Sequence, residues 1–164
     1  MNKVYPYSLV ADYFIGLSNE TQSPITNLKL QKLVYYAQAW TLALLDKELI
    51  KEDFEAWVHG PVLPILYRDY NSFGWRQIIR DDIDENKFAE IKKQFTPEIL
   101  SVLHDVEYEY FGLDAYQLEK LTHNEEPWFL TRDNLTDDEP SHRIIEKKLI
   151  KEYYSKFVGD EQKN

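Results

Sequence analysis

From Leu33 to Leu45 the chain reads LVYYAQAWTLALL, without one charged side chain. The run is too long for a strand, which commonly ends within roughly 4 to 8 residues. Extended back to Asn27 it becomes NLKLQKLVYYAQAWTLALL, preceded by Thr26, an N-cap residue whose side-chain oxygen accepts from the first turn. A helix with no charged face over that length has nowhere to meet water, so it is buried on most of its circumference. The remaining segments must pack around it. The expected fold is mainly α: one compact domain over 1–164, a helical bundle built on a central helix at about 26–45. A chain of 164 residues fits a single core.

The flanking segments supply the covering layer. Val10, Tyr13, Phe14 and Leu17 fall at i, i+3, i+4, i+7, a first helix of about three turns ending near Ser18. KELIKEDFEAWV is short and irregular, so a two-stranded β ribbon or an extended connection is expected near 48–58. In HGPVLPILY, Gly60 permits a sharp turn, and Pro61 and Pro64 are both expected within the first turn of one helix, with Trp57 and Tyr67 packed around it. Phe88, Ile91 and Phe95 give a weak helical period. Thr96-Pro97-Glu98 opens a helix whose face is Leu100, Leu103 and Val106, closed at Gly112. Asp114 caps AYQLEKL. Thr122 or Asn124 is expected to cap the next helix, with Glu125 and Glu126 at its positive end, Trp128 buried, and His123 a hydrogen-bonded turn residue. The last helix reads SHRIIEKKLIKEYYSKF, buried along Ile145, Leu149, Tyr153 and Phe157.

Charge is concentrated. From Asp105 to Glu139 eleven acids face only Lys120 and Arg132, so that window carries −9 of the net −10. Nucleic-acid binding rests on Lys and Arg contacts to phosphate, and direct nucleic-acid binding is therefore not expected. A basic protein partner would be attracted instead. The chain has no cysteine, which removes disulfides, thiolate metal sites and thiol nucleophiles together. The N-terminal segment is interrupted by Asp12 and does not read as a signal peptide, and no apolar run approaches the ~20 residues of a membrane span. A cytoplasmic protein without a membrane contact is expected.

No chemistry-bearing motif emerges. The four histidines, His59, His104, His123 and His142, include no pair at i+3 or i+4, so no metal-ligand spacing is present and neither metal nor cofactor is expected. The five glycines form no phosphate-binding loop or dinucleotide fingerprint. Acidic pairs such as Asp81-Asp82 and Asp137-Asp138 read as solvated loop charges.

Three ordered blocks, KLQKLVYYAQAWTLAL (29–44), E-AW-HGPVLPILYRDY (55–70) and LEKLTHNEEPW (118–128), resemble the Panacea family, the SocA-like antitoxin domain that also occurs in phage-associated GepA-like proteins. Within that motif Trp40, Trp57, Gly60, Pro61, Pro64, Tyr67, Thr122, His123, Pro127 and Trp128 are matched as structural residues. Related sequences usually carry an aromatic residue before the glycine; His59 departs from that pattern.

The resemblance implies an antitoxin without enzymatic activity that neutralises a cognate protein toxin, commonly encoded beside it, by direct binding, or hands it to a protease as an adaptor. The matched Lys29, Lys32 and Tyr36 are one candidate contact set; the acidic Asp105, Glu107, Glu109, Glu125 and Glu126 are another, suited to a basic toxin. Two other classes stay open. One is a small hydrolase using His59 or His123 with a nearby carboxylate, and the other a phage or mobile-element DNA-binding regulator using the corner at 113–132.

Overall fold

The computed structural model describes residues 3–161, and they form a mainly helical domain with one small antiparallel ribbon. Helix α1 (Tyr7–Thr21) leads to α2 (Asn27–Leu45), the central helix, capped by Thr26, whose Oγ1 accepts from the Lys29 amide at 3.2 Å. Strands β1 (Glu55–Trp57) and β2 (Gly60–Val62) form the ribbon. Then follow α3 (Pro64–Asp69), a 3-10 turn (Asn71–Phe73), α4 (Glu85–Lys93), α5 (Pro97–Tyr110), α6 (Ala115–His123), α7 (Glu126–Arg132) and α8 (Lys147–Glu161).

As expected from the charge-free run at 33–45, α2 is enclosed: α1, α3, α5, α6, α8 and the ribbon all pack against it, and Leu30, Leu33, Val34, Tyr35, Tyr36, Ala37 and Ala39 are buried. Its three buried side-chain amides are all satisfied. Asn27 donates to the Tyr67 carbonyl, Gln31 accepts from the Leu63 amide, and Gln38 accepts from the Leu49 and Ile50 amides. The thermodynamic reason is simple: each buried amide left unpaired would cost about 1–3 kcal/mol. No helix among the described residues is long and apolar enough to cross a membrane.

Several local expectations are corrected. Helix α1 runs past Ser18 to Thr21 because Gln22, at φ 55°, supplies the left-handed closing residue. The ribbon lies at 55–62, its second strand beyond the expected segment. Pro61 is a residue of β2 opposite Ala56, not part of a helix; Pro64 alone opens α3. The missing Pro61 N–H costs the ribbon nothing, since the Ala56 amide faces the other way and donates to the Arg143 carbonyl. Helix α5 stops at Tyr110, two residues before Gly112. Residues 141–146 are not helical. Their backbone pairs with β1 through Ala56 to Arg143 and Ile145 to Phe54, so α8 starts only at Lys147. Within it, among the described residues, Ile150 and Tyr154 are buried, while Phe157 is 42% exposed.

Candidate functional site

The three sequence blocks meet at one buried point. Lys32, on α2, is 1% exposed and its Nζ donates to the Pro61 carbonyl at 2.9 Å. Gly60 sits over it at φ +99°, and a Cβ there would lie 2.7 Å from both Lys32 Cε and Thr122 Oγ1. The φ value and the close approach each require glycine. Thr122, inside α6, turns its hydroxyl to the Glu119 carbonyl at 2.8 Å and caps nothing downstream. Burial pushes the Lys32 ammonium down to about 7, against the opposing pull of the Glu119 carboxylate.

A second cluster joins α2, α7 and α8. Tyr36 and Tyr154 both donate to Glu125 Oε1, at 2.7 and 2.8 Å, and the Tyr154 hydroxyl lies 3.2 Å from that of Tyr35. Tyr36 also stacks on Tyr110 at 3.9 Å, and Trp40 Nε1 donates to the Tyr110 hydroxyl at 2.8 Å. Burial raises the Glu125 pKa, opposed by the two phenol donors; the phenols of Tyr35, Tyr36 and Tyr154 are raised well above their ordinary value, chiefly by burial. Glu125 occupies the N-cap position of α7 without capping it, because its carboxylate is committed to the tyrosines. Neither Thr122 nor Asn124 takes that place, a correction to the expected cap: Asn124 instead closes α6.

The ribbon is held from its far side by α7. Trp128 Nε1 donates to the Trp57 carbonyl at 2.7 Å, and Pro127 beside it is buried. Arg132, 2% exposed, donates to the carbonyls of Ala56, Thr136 and Glu139 at 3.0, 2.7 and 2.6 Å, its guanidinium 4.8 Å from the Trp128 ring centre. Trp57 packs on Tyr67 at 5.1 Å and bonds Glu55 through Nε1. His123 stacks on Trp128 at 3.8 Å, with Nε2 buried and unpaired among the described residues; burial lowers its pKa. His59 is exposed, its Nδ1 2.5 Å from Glu119 Oε1.

The two candidate contact sets therefore differ in placement. Lys29, Lys32 and Tyr36 point inward; Lys29 donates to the Phe111 carbonyl at 2.6 Å, and burial lowers its pKa. Of the acids, Glu125 is half-buried and bonded to two tyrosines, Glu126 pairs with Lys156 at 3.3 Å, Glu107 is half-buried, and Asp105 and Glu109 are exposed. Gln31, Arg132 and Tyr154 were not singled out in the sequence. Gln31 and Gln38, polar residues seven apart in an otherwise apolar helix, carried a readable signal; Arg132, in a charged segment, did not.

The arrangement is a rigid interior with an acidic exterior. A family profile described as antitoxin SocA-like, Panacea domain matches residues 30–129. Antitoxin SocA of Caulobacter vibrioides (strain NA1000 / CB15N) is 36% identical over 77 residues, which are 47% of this chain and 41% of that protein. The similarity thus spans less than half of that relative's length. No solved structure matches the chain.

Proposed function

The chain belongs to the family of antitoxin SocA-like Panacea domains, and from that premise we propose that it is the antitoxin of a toxin–antitoxin system, neutralising a cognate protein toxin by direct binding in the cytoplasm. The toxin is expected to be encoded beside it. The observation that carries this reading is that the family-matched blocks are committed to one interior: Lys32 to Pro61, Gly60 against Thr122, Trp128 to Trp57. Those bonds build a platform and leave recognition to the outer faces. The exposed carboxylates of α5 and its flank favour a basic toxin, which they would steer into contact.

The test is co-expression with the product of the adjacent open reading frame. Growth arrest by that product alone and recovery with this protein are expected. A neighbour harmless by itself, or still toxic in the presence of this protein, overturns the reading. The toxin's half-life separates the two modes of action: occlusion leaves it unchanged, whereas delivery to a protease shortens it.

A further inference from the structure

Between α2 and α5 lies an open groove of about 210 Å³ with Trp40, Leu44 and Tyr110 as its apolar lining and Asp105, Tyr108 and Glu109 along α5. It is below the roughly 300 Å³ at which small-molecule pockets begin, and is the size for one side chain and its stem. Tyr108 is 87% exposed and Leu44 36%, so apolar surface is left to water here. Asp105 and Glu109 stand one turn apart, a like-charge spacing that weakens a helix by a few tenths of a kcal/mol. Among the described residues neither has a hydrogen-bond or ion-pair partner. Helix α5 carries no Lys or Arg, and none occurs between Lys93 and Lys120. Glu109 also lies in the last turn of α5, where the helix dipole disfavours a carboxylate, and the Lys29 ammonium at that end is committed to the Phe111 carbonyl. Lys47, which also reaches α5, pairs with Glu98 and not with Asp105 or Glu109, so a cation from outside would complete their charge balance.

We propose that the groove between α2 and α5 is the docking site for an arginine-bearing segment of the toxin, the guanidinium set between Asp105 and Glu109 and its stem laid along Trp40, Leu44 and Tyr108. This rests on the antitoxin reading and adds the chemistry of the partner. Arginine suits the site better than lysine, because its planar cation stacks on aromatic rings and pairs with carboxylates in a fork. It is also among the residues that dominate interface energies, as are the tyrosine and tryptophan presented here.

Two measurements test it on the full chain. First, the indole N–H signals of the four tryptophans are followed by NMR while a synthetic amphipathic leucine–arginine peptide is added, with a citrulline version as control. The Trp40 signal is expected to shift with the arginine peptide, less at high salt, while those of Trp57, Trp75 and Trp128 stay in place; the Asp105→Lys/Glu109→Lys variant is expected to lose the shift. No Trp40 shift, an equal shift with citrulline, or a shift that survives charge reversal overturns the proposal. Second, affinity for the purified product of the adjacent reading frame is compared among the wild type, that variant and a matched Glu85→Lys/Glu90→Lys control on α4. At least a 10-fold loss confined to the groove variant is expected, and equal binding by all three overturns the proposal. If the wild type takes up the peptide but not that product, the antitoxin reading fails while the groove's chemistry stands.

Discussion

Lys32 and Pro61, 29 residues apart, are joined by a hydrogen bond of 2.9 Å from a fully enclosed ammonium to a strand carbonyl. The contact ties the central helix to the ribbon at a place where the chain has no room for a side chain, since Gly60 lies between Lys32 and Thr122. A buried cation with a carbonyl as its hydrogen-bond partner is costly, and its pKa, pushed down to about 7, measures that cost.

Gly60→Ala is expected to destabilise the domain by about 2–4 kcal/mol, combining strain at φ +99° with displacement of Lys32 and Thr122. Gly112→Ala, where a Cβ meets nothing within 4 Å, is expected to change stability by less than about 1 kcal/mol. Urea unfolding of the two variants checks this, and equal losses would refute the role given to Gly60.

The Lys32 titration predicts a pH dependence. Its folded pKa lies below the unfolded value of 10.5, so between about 7 and 10.5 the unfolded chain holds more protons and stability rises with pH. The slope from this group is at most about 1.4 kcal/mol per pH unit. Above about pH 10 the raised phenols of Tyr35, Tyr36 and Tyr154 act in the opposite sense, because only the unfolded chain can release those protons. Lys32→Met should flatten the rise between pH 7 and 9 relative to wild type, as read by denaturant midpoints at fixed salt. Parallel profiles would show that Lys32 is not the group titrating.

Glu125 separates charge from hydrogen bonding. Its raised pKa means that ionising it in the fold is unfavourable, while its Oε1 accepts from two phenols. Glu125→Gln retains an acceptor oxygen and removes the charge, so stability at pH 7 equal to or above wild type is expected. Glu125→Ala leaves Tyr36 and Tyr154 without this acceptor and should lose about 1–3 kcal/mol. Thermal unfolding of both variants at pH 7 decides, and a Gln variant as damaged as Ala would contradict the assignment.

Arg132 holds three carbonyls with a planar fork that lysine lacks. Arg132→Lys is expected to cost about 2–4 kcal/mol, by analogy with other broken buried charge networks. Hydrogen exchange should quicken at the amides of Ala56 and Ile145, whose bonds link β1 to the following extended segment. Unchanged protection there would place the guanidinium outside the ribbon's support.

The sequence by itself determined the central helix, because an uncharged run capped by Thr26 has one outcome in water: burial as a helix. It also determined the starts of α5 and α6, where Thr96 and Asp114 accept from amides three residues on and no distant contact is needed. Tertiary structure alone decided whether Pro61 begins a helix or sits in a strand, since both allow its fixed φ and the choice came from pairing with 55–57. The same holds for residues 141–146, whose helical pattern lost to backbone bonds with β1. It also decided that Arg132 is buried, and that Glu125, expected among the partner-facing acids, is half-buried and turned onto two tyrosines. A charged side chain carries no local mark of burial; it is drawn inward when partners distant in sequence, here Tyr36 and Tyr154 for Glu125 and the Ala56 carbonyl for Arg132, are assembled to receive it.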